Sequence, residues 1–155
     1  MFETVLIATD GSASAERAVR AAVDLAERFE ATVHALYVVD SGDVAATPDD
    51  VREDFERALA TEGGKALTFV REAAADDPDP ASETVVTAIR EGDPTSEICA
   101  YAEGIDADVI VTGTRGRHGE HGYLLGSVAE GVVRRAEPPV LTVRQLEGAA
   151  ADGEA

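Results

Sequence analysis

The sequence predicts an α/β protein built on one doubly wound, five-stranded parallel sheet of order 3-2-1-4-5, with helices on both faces. Three observations carry this prediction. Apolar runs of strand length recur without polar alternation, as expected of strands buried on both faces. Segments of helical period separate them over the whole chain, and regular strand–helix alternation implies a parallel sheet. The length, 155 residues, suits one domain with a sizeable core and is short for two.

Thr4 to Ala8 (TVLIA) is the first strand, followed by Asp10-Gly11-Ser12. From Ala15 the positions Ala15, Ala18, Val19, Ala22, Val23 and Ala26 form one helical stripe, with Glu16, Arg17, Arg20, Asp24 and Glu27 opposite. Ser12 or Ser14 is the expected cap of this first helix. Thr32 to Val39 is the second strand, ending at Asp40, and the polar, proline-containing stretch 41–50 reads as loop. A second helix places Val51, Phe55, Ala58, Leu59, Ala66, Val70 and Ala73 on one face and ends at the acidic, proline-bearing stretch Asp76 to Pro80. The third strand is Glu83 to Ile89. Gly92-Asp93-Pro94 then opens a third helix: Asp93 can cap free N–H groups, and Pro94 at the first helical position forfeits no hydrogen bond. Ile98, Ala102 and Ile105 face inward from it, and the single cysteine, Cys99, is expected to be a small buried residue. The fourth strand is Asp108 to Thr112, the fourth helix spans about Ser127 to Ala136, and Val140 to Val143 is the fifth strand. Residues 1–146 make the domain, and 147–155 read as a disordered acidic tail.

Asp plus Glu number 31 against 13 Lys plus Arg, for a formal charge of -18. Such a charge disfavours binding to a nucleic-acid backbone. No apolar run approaches the ~20 residues of a membrane span, and the N-terminus lacks a basic-then-apolar signal pattern. A cytoplasmic protein, away from membranes, is expected. The basic residues are twelve Arg and one Lys, Lys65, in an Ala-rich and acid-rich background. This composition resembles proteins of salt-in halophiles such as haloarchaea, whose acidic surfaces are screened at molar salt, where the Debye length is about 3 Å. An acidic protein from a high-GC mesophile is the alternative.

In the order 3-2-1-4-5 the sheet reverses direction between strands one and four, and ligands bind beyond the strand carboxyl ends at such a point. Asp10 and Gly113 lie there. The stretch from Gly113 to Ser127 holds five of the chain's fourteen glycines. Glycine lets backbone approach a ligand and turn several N–H groups inward as an anion nest. The helix opened by Gly126-Ser127 adds unpaired N–H groups and a positive dipole end. From spacing alone, a mobile glycine loop is the competing explanation. A Walker loop is excluded, since Lys65 precedes Ala66 rather than Ser or Thr. A dinucleotide fingerprint is excluded too, because the turn after the first strand lacks G-x-G-x-x-G.

The pattern G-x2-G-x9-G-[ST], realised as Gly113, Gly116, Gly126 and Ser127, resembles the ATP-binding motif of the universal stress protein family. Further resemblances follow in order along residues 2 to 144. They are Thr-Asp-Gly-Ser after the first strand, Tyr-Val-Val-Asp at the second, Gly92-Asp93-Pro94, Gly-Thr-Arg-Gly, Leu-Leu-Gly-Ser-Val, and Pro-Val-Leu-Thr-Val. The resemblance implies a site for ATP, or ADP or AMP, with Mg²⁺. By it, Asp10 accepts from the ribose hydroxyls, backbone at Ala8 and Val38 lines the adenine, and Thr112 and Gly113 pack beside base and ribose. Gly116, Gly126, Ser127 and Val128 offer N–H groups to the phosphates, and Arg115 reaches toward them. It also implies a homodimer through the strand 140–143 edge.

The middle of the loop departs from the family pattern with Arg117, His118, Gly119, Glu120, His121 and Gly122. Glu120 sets a negative charge near the expected phosphates. His118 and His121 read as a metal pair, a proton shuttle or solvated loop residues, the last being favoured in the absence of a third ligand beyond Glu120. His34, mid-strand, is expected to be packed, and Asp40 either meets a ribose or Mg²⁺ or caps the strand end. Three functions remain open: a nucleotide-binding regulatory protein acting through an unknown partner, a slow ATPase or phosphoryl or nucleotidyl transferase, and a nucleotide-free interaction module. Phosphoryl transfer needs charge neutralisation and a positioned base. Only Arg115 and Arg117 offer fixed positive charge here, so the first is preferred.

Overall fold

A computed structural model describes residues 2–74, 85–114 and 125–145. The expected tail, 147–155, lies outside the described residues. Five strands, β1 (Thr4–Ala8), β2 (Thr32–Asp40), β3 (Val85–Gly92), β4 (Val109–Gly113) and β5 (Val140–Val143), form one sheet of order β3-β2-β1-β4-β5. Every pairing is parallel, as the sequence predicts. Five helices accompany it among the described residues: α1 (Glu16–Phe29), α2 (Ser41–Ala45), α3 (Asp49–Ala74), α4 (Pro94–Gly104) and α5 (Ser127–Arg135).

Two apolar clusters lie on opposite faces of the sheet. On one, α1 and α3 set Val19, Ala22, Leu59, Ala66 and Val70 against Val5, Ile7, Val33, Val109 and Val111. On the other, α4 and α5 set Ile98, Ala102 and Val132 against Leu6, Leu36 and Ile110. Successive residues of β1 therefore enter different cores, which explains why TVLIA shows no polar alternation.

Several boundaries differ from the sequence expectation. Stretch 41–50 is not all loop: Ser41–Ala45 turns once as α2, with the Asp40 side chain accepting from the Gly42 N–H at 2.8 Å. Arg52, from the first turn of α3, donates to the Thr47 carbonyl at 2.9 Å and to that of Val44 at 3.2 Å, satisfying groups at the end of α2. Neither Ser12 nor Ser14 occupies the cap position of α1: a 3-10 turn, Ala13–Ala15, precedes the helix and Ala15 stands there. Strand β3 runs three residues further than expected, to Gly92, because β2 extends to Asp40 and pairs with it throughout; residues 83 and 84 lie outside the described residues. Val51 and Ala58, expected on the buried face of their helix, are both exposed. Cys99 is half-buried rather than buried, and burial pushes its thiol pKa up. The start of α4 is as expected: Pro94 is at the first position, and Asp93 accepts from the Ser96 N–H at 3.0 Å.

Candidate functional site

Ala8 pairs with Leu36 of β2 on one side and Thr112 of β4 on the other, so the ends of β2, β1 and β4 lie side by side where the winding reverses. Above them opens a cavity of about 210 Å³. Eight of the ten residues expected at the site line it: Ala8, Asp10, Val38, Thr112, Gly113, Gly126, Ser127 and Val128. The other two, Arg115 and Gly116, lie outside the described residues, as do Arg117, His118, Glu120 and His121.

The turn after β1 is built to present Asp10. Its Oδ1 accepts from the Ser12 N–H at 2.9 Å and the Ser12 hydroxyl at 2.6 Å. Gly11 between them has φ +77°, a conformation in which a side chain is strained, and a Cβ there would stand 3.3 Å from the Ala66 Cβ. Ser12, expected as a helix cap, instead fixes the carboxylate at the cavity edge.

At the opposite flank, α5 starts at the cavity wall. Its first N–H groups, those of Ser127, Val128 and Ala129, have no partner within the helix, as at any helix start, and Gly126 has no side chain to cap them. All three residues line the cavity. The Gly126 N–H, expected to face phosphate, donates to the Thr114 carbonyl, which ties the helix start to the end of β4. Gly126 itself has φ −68°, so its conformation needs no glycine.

Sequence reasoning missed the rest of the wall. Leu36, Val39, Leu59, Pro94 and Ile98 add apolar surface drawn from both cores, and Asp43 adds a carboxylate from α2. Tyr37, buried, lies against α3 at Gly63, where a Cβ would fall 2.7 Å from the ring. The alternation of side chains along β2 could have flagged Tyr37 and Val39; Asp43 carried no signal while its segment was read as loop. Among the described lining residues there is no Lys, Arg or His. Asp10, Asp40 and Asp43 do not converge as a metal-binding group, and no such group of three or more His, Cys, Asp or Glu occurs among the described residues. His34 lies away from the cavity, its Nδ1 3.0 Å from the Tyr101 hydroxyl, and burial lowers its pKa.

The sequence profile of the universal stress protein family matches residues 1–144. The chain belongs to that family. Universal stress protein MJ0531 of Methanocaldococcus jannaschii is 37% identical over 146 residues, spanning 94% of this chain and 84% of the relative. Among solved structures, the hypothetical protein MJ0577 superposes with a TM-score of 0.79 at 26% identity, covering 95% of this chain and 99% of the other. A universal stress protein solved in complex with cAMP superposes with a TM-score of 0.64, also at 26% identity, covering 92% and 97% of the two chains. The universal stress protein fold of these neighbours is the same five-stranded arrangement. No helix among the described residues is long and apolar enough to cross a membrane.

Proposed function

We propose that this universal stress protein binds an adenine nucleotide, ATP with Mg²⁺ in the first instance, in the cavity between β1 and the β4–α5 segment, and acts as a cytoplasmic regulatory module rather than a committed enzyme. One observation carries the reading: a cavity at the reversal point is graded from apolar wall through a carboxylate to open helix N–H groups, which matches base, ribose and phosphate in order. Val38, Leu36 and Ile98 offer apolar surface to a base. Asp10 accepts from ribose hydroxyls, and Ser127 and Val128 donate to phosphate with the Ser127 hydroxyl. The cAMP complex of a family member supports the adenine assignment. Mg²⁺ brought in with the nucleotide would supply charge neutralisation on the phosphates, with Arg115 as the proposed protein cation.

Calorimetry with ATP, ADP, AMP and GTP, after removal of co-purified nucleotide, tests the reading. Adenine nucleotides are expected to bind, and Asp10→Ala to weaken them by about 1.5–3 kcal/mol, the range for hydrogen bonds to a charged group. Absence of heat with all four would leave the nucleotide-free interaction module. Hydrolysis near ~1 s⁻¹ or faster, within the range of ordinary enzymes, would establish the ATPase or transferase alternative.

We also propose a homodimer through β5, which pairs with β4 and carries Leu141, 42% exposed, on an uncharged four-residue edge. Light scattering should give the mass of two chains, and Val143→Lys the mass of one. A single-chain mass for the wild type would remove this proposal.

A further inference from the structure

The turn that presents Asp10 is held by its surroundings as well as from within. Within it, Thr9 Oγ1 accepts from the Gly11 N–H at 3.2 Å, and Asp10 Oδ1 accepts from the Ser12 N–H and hydroxyl, so carboxylate and turn move together. Beside it stand β2 and α3. A Cβ at Gly11 would meet the Ala66 Cβ at 3.3 Å, the Glu62 carbonyl oxygen at 3.8 Å and Tyr37 Cε2 at 3.9 Å. The same tyrosine, 2% exposed, meets α3 on the Cδ1 side of its ring: a Cβ at Gly63 would fall 2.7 Å from Cδ1 and 3.1 Å from both Cγ and Cε1. These atoms lie near the root of a buried side chain, so a methyl group at 63 requires either the ring or the helix to give way. Both of them border Gly11. Whichever yields, the Asp10 turn loses part of its seat.

We infer that Tyr37 and Gly63 are positioning residues for ribose recognition: the ring, admitted against α3 only because residue 63 has no side chain, sets where the Asp10 carboxylate stands at the cavity edge. The inference rests on the nucleotide-binding reading and adds to it the pair that tunes recognition of the sugar. Neither residue supplies the ribose acceptor; both act through the one that does, by locking its turn in place. The other contacts are separable from this one. Val38 packs with the core opposite to that of Tyr37, and Ser127 and Val128 stand on α5, so base and phosphate keep their partners when the Asp10 turn shifts.

The test compares ATP with 2′,3′-dideoxy-ATP, which lacks the hydroxyls that Asp10 would accept from. In calorimetric titrations of the full chain, the wild type should prefer ATP by at least about tenfold, the size of hydrogen bonds to a charged group. In Gly63→Ala that preference should shrink by at least about threefold, through weaker binding of ATP while the affinity for dideoxy-ATP holds. Tyr37→Phe keeps the ring and should keep the preference, whereas Tyr37→Leu should lose it. The double variant Asp10→Ala/Gly63→Ala should bind ATP no more weakly than Asp10→Ala alone, because the acceptor being positioned is already gone. Thermal unfolding checks that each variant folds, and the two Tyr37 variants decide the matter if Gly63→Ala does not. No preference for ATP in the wild type overturns the inference and leaves nucleotide binding intact. So does an undiminished preference in folded Gly63→Ala, an equal loss of both nucleotides in it, or equal loss of the preference in Tyr37→Phe and Tyr37→Leu. Failure of both nucleotides to bind the wild type removes the underlying reading, and the inference falls with it.

Discussion

Asp10 and His34 show how differently single residues announce themselves. Asp10 could be placed from sequence because a strand end, a following glycine and the sheet order all converge on it. What the sequence left out is the Ser12 hydroxyl and N–H that hold its carboxylate, since the same serine equally suits a helix cap. His34 was legible only as a packed residue. Its partner Tyr101, 67 positions away on α4, meets it edge-on while the Arg90 guanidinium stands 5.3 Å from the Tyr101 ring. Burial disfavours the imidazolium, so the folded pKa lies below the 6.5 of the unfolded chain. Below that pH the unfolded state takes up more proton than the native one, and stability falls with acidification. The contribution is present above pH 6.5 and declines as pH drops through the folded value. Thermal midpoints measured from pH 8 to pH 5 should therefore fall more steeply below 6.5 for the wild type than for His34→Gln. Parallel curves would mean that burial of the neutral ring has no effect on stability.

Helix α5 owes its position to contacts at both ends and at its middle. Its start is tied to β4 through Gly126 and Thr114, and its last turn reaches α4 through Arg135 and the Ser96 hydroxyl at 3.2 Å. Between them Gly131 allows the closest approach: a Cβ there would lie 2.7 Å from the Thr95 Oγ1 and 2.8 Å from its Cγ2. Turning the threonine relieves at most one of the two contacts, because only its third substituent is a hydrogen and a γ group stays in the other position. Alanine at 131 gains up to about 1 kcal/mol of helix propensity, whereas overpacking costs about 1–3 kcal/mol. The clash wins. Gly131→Ala should lower the thermal midpoint and, by pushing α5 off α4, weaken nucleotide binding; Thr95→Ala in the same chain should restore both. Unchanged nucleotide affinity in a folded Gly131→Ala protein would show that the helix start does not depend on this contact. Elements of this kind were legible as elements, through period and capping residues, but their mutual distances were not. A glycine inside a short helix carries no sign of the side chain it faces until the helices are packed.

Among the described residues the ion pairs are local. Arg28 with Asp24, Arg57 with Glu53 and Arg134 with Glu130 are exposed pairs one turn apart, each worth about 0.3–0.5 kcal/mol. Pairs of this strength offset little of the repulsion spread over a chain of charge -18. Molar salt screens both, and with 31 Asp and Glu against 13 Lys and Arg the relief of repulsion outweighs what the local pairs lose. Unfolding should consequently move to higher temperature between 0.1 M and 2 M KCl, as differential scanning calorimetry would register. An equal or lower midpoint at 2 M would count against the salt-adapted reading of the composition. The strand order could be anticipated because buried apolar runs and short crossovers leave few arrangements. The added turn of α2 and the extra length of β3 could not, because each depends on a partner remote in sequence.

Among the described residues the two cores are unequal, and the cavity rests on both. The α1–α3 face buries the larger cluster, whereas α4 and α5 share a handful of residues around Ile98, Ala102 and Val132. Fewer buried contacts mean a lower free energy of local opening. The α5 side of the cavity is therefore the side that detaches first, while the strand ends and Asp10 stay in place. A ligand held between a firm wall and a yielding one leaves by way of the yielding one, so its residence time is set by the opening rate of α5. Amide exchange of α5 should accordingly run faster than that of α1, and slow selectively when the cavity is filled.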